Sequence, residues 1–83
     1  MDDSFTITIN YENKDYNFES LIVPQGFIHK IVVEVEGIPI TFEPDEERNY
    51  RALVPEGAQI KNTTTFVGLL RAISSYLESI LKS

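Results

Sequence analysis

The sequence predicts an α+β domain: an antiparallel β-meander of four to five strands with a single C-terminal α-helix packed on one face. Two patterns lead to this prediction. Residues 65–82 repeat apolar side chains at helical spacing, and the chain before them alternates apolar and polar side chains in short runs separated by turns. Such a helix cannot hide its apolar face alone, so the strands must cover it. The 83 residues form one domain, 1–83, with room for a single two-layer core.

The first predicted hairpin joins strands at about residues 4–11 and 16–23. Large apolar side chains alternate with Thr, Asn and Glu along both strands, as expected for strands that bury one side only. A four-residue turn would pair Tyr11 with Tyr16. That register places nearly all the large apolar side chains on one face of the sheet.

The second predicted hairpin joins strands at about residues 27–36 and 38–43 through a tight Glu36-Gly37 turn. Pairing Val35 with Ile38 sets every inward position of both strands against another apolar residue. The same register places Lys30 opposite Glu43 on the outer face, where we expect a cross-strand ion pair.

A fifth strand is predicted at about residues 50–54, after a charged loop. We expect Tyr50, Ala52 and Val54 to point inward. A loop of even length would leave Phe42 opposite Arg51, so we expect an odd loop or a bulge.

The C-terminal helix is predicted at about residues 64–82, capped by Asn62, Thr63 or Thr64. At about 100° per residue, one stripe of the helix is entirely apolar. We expect this stripe to be buried against the sheet. Its members are Phe66, Leu69, Leu70, Ile73, Tyr76, Leu77, Ile80 and Leu81.

Composition narrows the functional classes. The net charge is −6, and the 7 basic residues are scattered, so nucleic acid and anionic membranes are not expected partners. The chain has no cysteine, which excludes disulfides, thiolate metal sites and cysteine catalysis. The missing cysteines and the acidic N-terminus favour a cytoplasmic location. No cofactor is expected.

An acidic loop is the first candidate site. Glu43, Asp45, Glu46 and Glu47 place four carboxylates within five residues, a composition that suits Ca²⁺. The EF-hand spacing is absent, however, since there is no central glycine and no glutamate at the twelfth position. A solvated loop and a docking site for a basic partner are the alternatives.

His29, the single histidine, is the second candidate. The predicted pairing places it near Ser20, and a Ser–His pair is a possible nucleophile and base. The sequence shows no nucleophile elbow and no glycine-rich oxyanion turn. A structural histidine at the sheet margin is therefore the preferred interpretation, and no catalytic residue is assigned.

Two surfaces are candidates for protein binding. Several apolar residues fall on the outer sheet face, and such patches typically mark interfaces. The helix face opposite the apolar stripe carries small residues, which allow a second helix to approach closely or form a weakly charged solvent face. The candidates are Leu21, Ile28, Val32 and Leu53 on the sheet, and Gly68, Ala72, Ser75 and Ser79 on the helix.

The central segment, VEVEGIPITFEPDEERNYRALV from Val33 to Val54, resembles segments of small uncharacterised bacterial proteins. The resemblance implies a bacterial cytosolic protein and brings no catalytic residue with it. We therefore expect a small non-enzymatic interaction module, a homodimer or a binder of another protein. The alternative is binding of a small ligand or divalent metal at the acidic loop or between sheet and helix.

Overall fold

A computed structural model describes residues 4–47, 49–60 and 63–81. Within these ranges the strands pair antiparallel in chain order and one helix follows them, which confirms the predicted meander and C-terminal helix. The elements are β1 (Ser4–Tyr11), β2 (Lys14–Gln25), β3 (Ile28–Val35), β4 (Ile38–Pro44), β5 (Tyr50–Leu53) and α1 (Thr63–Leu81). Of the three predicted caps, Thr63 and Thr64 lie inside α1, and Asn62 lies outside the described residues.

The β1–β2 hairpin is tighter than predicted, and its predicted register is wrong by two residues. Tyr11 pairs with Lys14 rather than with Tyr16, so only Glu12 and Asn13 form the turn. Both turn residues have positive φ, 52° and 63°, as in a type I′ turn, whose twist matches that of the strands. Because side chains alternate with a period of two, this shift leaves the same residues on the apolar face.

The β3–β4 hairpin has the predicted register. Glu36 and Gly37 form its turn, with φ of 52° and 80°. Both residues of a type I′ turn need positive φ, and glycine adopts it without strain. The inward pairs are Val35 with Ile38, Val33 with Ile40, and Ile31 with Phe42.

The loop between β4 and β5 has odd length, as predicted. Pro44 pairs with Tyr50, which leaves residues 45–49 as the loop, and Phe42 therefore faces Ala52. Both Tyr50 and Ala52 are partly buried and pack against the core. The odd loop thus keeps the apolar side of β5 on the inner face of the sheet.

The core lies between the inner face of the sheet and α1. One polar side chain, Ser20, is buried among the described residues, and its hydroxyl donates a hydrogen bond of 3.3 Å to the backbone carbonyl of Phe18. The other core side chains are apolar. They are Ile7, Ile9, Phe18, Ile31, Val33, Val35, Ile40 and Phe42 from the sheet, and Phe66, Leu69, Leu70, Ile73 and Leu77 from the helix.

Two residues predicted to be inward are exposed instead. β5 ends at Leu53, and Val54, just beyond it, is 43% exposed. Ile80, in the last turn of the helix, is 45% exposed. A helix of 19 residues is about 28 Å long, whereas five strands span about 19–24 Å. Since α1 contacts β1 and β5, its last turn extends past the sheet.

Candidate interaction surface

The outer face of the sheet is the surface that α1 does not cover. The strand register aligns one outward residue from each strand into a row across the whole sheet, which we call the central row. Leu21 lies opposite Val32, and Leu53 is the apolar member on β5. The central row is Ser4, Leu21, Val32, Thr41 and Leu53.

The apolar members of this row reach solvent. Leu21 is 43% and Leu53 is 42% exposed, while Val32 between them is half-buried. Ile28, the fourth predicted sheet residue, is 40% exposed but lies two rows away, opposite Gln25. The predicted outward placement of all four residues is confirmed, although only three of them share a row.

The connector after β5 lies close enough in the chain to cover this patch. Its Ile60 packs against the core cluster, and the core lies on the opposite side of the sheet. The described part of the connector therefore leaves the outer face open.

A row on one side of the central row carries positive charge, and we call it the cationic row. Lys30 and Arg51 flank Glu43 there, with Nζ of Lys30 3.6 Å and an Nη of Arg51 2.7 Å from the Glu43 carboxylate oxygens. The predicted Lys30–Glu43 pair is thus confirmed, and Arg51 joins it. The hydrogen bond from Arg51 is the main reason that the pKa of Glu43 is lowered.

A row on the other side is negative, and we call it the acidic row. Glu19 and Glu34 each lie one position beyond the Ser20–Val33 pair that ends the paired register of β2 and β3, so they face each other on neighbouring strands, and both glutamates are exposed. Neither carboxylate forms an ion pair with another described residue. Like charges in this position repel each other. A groove of about 410 Å³ lies between the acidic and central rows.

The four interface candidates on the helix are only partly accessible to a partner. Gly68 and Ala72 are half-buried, and a methyl group at Gly68 would overlap the Tyr11 hydroxyl from β1. The small size of Gly68 therefore serves packing within the chain. Ser75 and Ser79 are exposed, and the Ser79 hydroxyl donates a 2.7 Å hydrogen bond to the carbonyl of Tyr76.

The expected closeness of Ser20 and His29 is wrong. His29 lies opposite Pro24 near the end of the hairpin, whereas Ser20 lies opposite Val33. Four residues along a strand correspond to about 13 Å. Ser20 is also buried while His29 is exposed, so the structure does not form a Ser–His pair.

His29 instead lines the same hollow as part of the acidic loop. This hollow of about 380 Å³ includes Asp45, Glu46 and Tyr50. The Asp45 carboxylate accepts hydrogen bonds of 2.9 Å from the backbone N–H groups of Glu47 and Asn49, so it holds the loop itself. Among the described residues, no three histidine or carboxylate side chains are grouped as metal ligands.

The neighbouring positions of Glu19 and Glu34 were not predicted from the sequence, because they depend on the register of β2 against β3. The second strand was predicted to end at about residue 23, but a two-residue turn at Gly26-Phe27 carries β2 to Gln25. The positive φ of Gly26, 65°, suits the first position of a type II′ turn. With this turn recognised, Glu19 and Glu34 would have been predicted as neighbours.

No protein-family model, curated protein or solved structure matches the chain. In the part of the chain that the structure describes, no helix combines the length and apolar character that crossing a membrane requires.

Proposed function

We propose that this protein is a small non-enzymatic interaction module that associates with a second copy of itself through the outer face of the sheet. The observation that carries the proposal is the central row. Its Leu21 and Leu53 are more than two-fifths exposed, and Val32 lies directly beside Leu21. Exposed apolar side chains that lie together on a sheet are typical of protein-binding surfaces.

The size of the chain supports the same proposal. A domain of 83 residues buries only about 60–65% of the surface that its unfolded chain exposes. Small domains commonly gain stability by oligomerising. Association through the uncovered sheet face would turn a two-layer domain into a four-layer assembly with helices outside.

The sheet face is favoured over the helix face because the helix face is partly used within the chain. Tyr11 packs against Gly68, and Ala72 packs against the core. Only Ser75 and Ser79 of the four helix candidates remain exposed, and neither offers much apolar area to a partner.

Sedimentation equilibrium on the wild-type chain, from about 10 μM to about 1 mM, tests the proposal in the affinity range of weak dimers. We expect the mass to rise from one chain toward two. Val32→Lys should abolish this rise because it places a charge at the centre of the contact. Ser75→Lys adds the same charge to the helix face and should leave association unchanged.

A wild-type mass of one chain throughout this range would overturn the proposal. So would a Val32→Lys variant that remains folded, as judged by its cooperative thermal melt, and still associates like the wild type. Loss of association in Ser75→Lys but not in Val32→Lys would move the contact to the helix.

A further inference from the structure

The charges that flank the central row select one arrangement of the two copies. On β3, the outward residues Lys30, Val32 and Glu34 follow one another two positions apart, about 6.8 Å per step. Val32 belongs to the central row, and the two opposite charges stand on either side of it. The outer face is therefore electrically polarised along the strand direction.

If two copies meet face to face with their sheets aligned, the two-fold axis runs either along β3 or along the central row, because any intermediate axis would cross the strands of the two sheets. An axis along β3 places Glu34 on the partner's Glu34 and Lys30 on the partner's Lys30. It also sets Leu21 of β2 against Thr41 of β4 in the partner. This arrangement juxtaposes like charges, which is unfavourable, and mismatches the apolar residues.

An axis along the central row has the opposite consequences. Each member of the row then meets its own copy, so Leu21 lies on the partner's Leu21 and Leu53 on the partner's Leu53. The acidic row of one copy lies over the cationic row of the other. Glu34 faces the partner's Lys30, and the two-fold axis generates this contact twice.

We infer that the occupant of the outer face is a second copy of this chain, related by a two-fold axis along the central row, with Glu34 paired to Lys30 of the partner subunit. The inference rests on the proposed function and adds the geometry of the contact. The strands of the two sheets then run nearly in line, the aligned packing common in β-sandwiches.

The row charges support this pairing. The cationic row has two basic side chains on one carboxylate, since Arg51 and Lys30 both pair with Glu43. The acidic row has two carboxylates and no ion pair among the described residues. An axis along the central row brings one member of each row together, Glu34 over the partner's Lys30.

The contact is small. Five strands at about 4.8 Å and three rows at about 6.8 Å give on the order of 480 Å² per copy. The total is about 960 Å², at the low end of specific interfaces. A weak dimer that forms at tens to hundreds of micromolar concentration is therefore expected.

A charge-reversal exchange tests the arrangement by sedimentation. Glu34→Lys alone and Lys30→Glu alone each place like charges across the axis, so each variant should associate at least about tenfold more weakly than the wild type. Mixed in equal amounts, the two variants should form a heterodimer, because both facing pairs then carry opposite charges.

Glu19→Lys is the matched control. Glu19 is also exposed and belongs to the same acidic row, but the inferred axis places it over the partner's Val23 rather than over a base. We expect this variant to associate at least as well as the wild type. If Lys30→Glu fails to fold, a double-mutant cycle with Lys30→Gln and Glu34→Gln should still show coupling in the dimer constant.

These experiments distinguish a failure of the proposed function from a failure of the inferred axis. A wild-type chain that stays monomeric overturns the proposed function and this geometry together. A wild-type dimer that Val32→Lys disrupts, but whose two charge variants do not recover association when mixed, overturns the axis and leaves the proposed function standing. Equal weakening by Glu19→Lys and Glu34→Lys overturns the axis as well.

Discussion

The inner and outer faces of the sheet come from the same five strands but differ in their chemistry. Among the described residues, the buried side chains of the inner face are apolar except for Ser20, whose hydroxyl donates to a backbone carbonyl. The outer face carries ion pairs, an acidic row that forms no ion pair with other described residues, and an apolar row that reaches solvent. Alternation alone would give a polar outer face, so the central row is the departure that needs an explanation.

The two faces differ in what covers them. The inner face is completed within the chain by α1, and its core side chains are at most 9% exposed. The outer face has no cover among the described residues, and its charges are arranged in complementary rows. We therefore expect substitutions on the inner face to have the larger effects on folding, and those on the outer face to have small effects on folding and to change association.

The largest effect is expected at the inner face. Leu77 is fully buried against the sheet, and Leu77→Ala should lower the free energy of unfolding by about 2–5 kcal/mol through lost burial and a cavity. Urea denaturation measures this change. Ile80→Ala, one turn later but 45% exposed, is the matched control and should cost less than about 1 kcal/mol. Equal costs would contradict the assignment of the buried stripe.

A smaller effect tests the edge of the inner face, where Tyr11 meets Gly68. Glycine inside a helix costs about 1 kcal/mol relative to alanine, but an alanine methyl would overlap the Tyr11 hydroxyl. Gly68→Ala should therefore stabilise the Tyr11→Ala variant by about 1 kcal/mol and the wild type by clearly less. A double-mutant cycle from denaturation curves measures the coupling. Strictly additive effects would show that the two residues do not interact.

We expect the ion pairs of the outer face to make the stability of the fold depend on pH. The folded-state pKa of Glu43 is lowered, first by its hydrogen bond from Arg51. The group therefore contributes stability above its ordinary pKa of about 4.3, and this contribution disappears as pH falls through the lower folded-state value.

Glu43→Gln should reduce the loss of stability on acidification from about pH 5 downward. Denaturation curves at several pH values measure the slope. Glu56→Gln, at an exposed position in the loop after β5, should keep the wild-type slope. If Glu43→Gln also retains that slope, the Arg51–Glu43–Lys30 arrangement does not contribute to folding.

The smallest effect is expected in the acidic row. Glu19→Gln removes the repulsion between Glu19 and Glu34 and should raise stability by a few tenths of a kcal/mol. Thermal melts at low ionic strength measure the gain, which should shrink in about 1 M salt because the charges are screened. A gain of the same size at both salt concentrations would assign it to something other than repulsion.

The sequence predicted the faces better than the registers. Val35 opposite Ile38 was predictable because Glu36-Gly37 is a strong signal for a two-residue turn. The β1–β2 register was not, because a two-residue turn and a four-residue turn place the same side chains inward. The exposed Ile80 was missed because helical periodicity carries no information about where the sheet ends.

The sequence predicted the candidate surface only in part, because alternation gives the face of a residue but not its cross-strand neighbours. Leu21, Val32 and Leu53 were correctly placed outward by alternation, while their alignment in one row needed three strand pairings. The contact between Tyr11 and Gly68 had no local signal, since the two residues lie in different elements.

By itself, the sequence determined which side chains share a face, because the periods of strand and helix are local properties of the chain. It also determined the apolar helix stripe and the need for a sheet to cover it. Only the tertiary structure decided which residues become neighbours across strands, since register depends on turn geometry and a shift of two residues leaves every face unchanged. The alternating acidic, apolar and cationic rows exist only in that register.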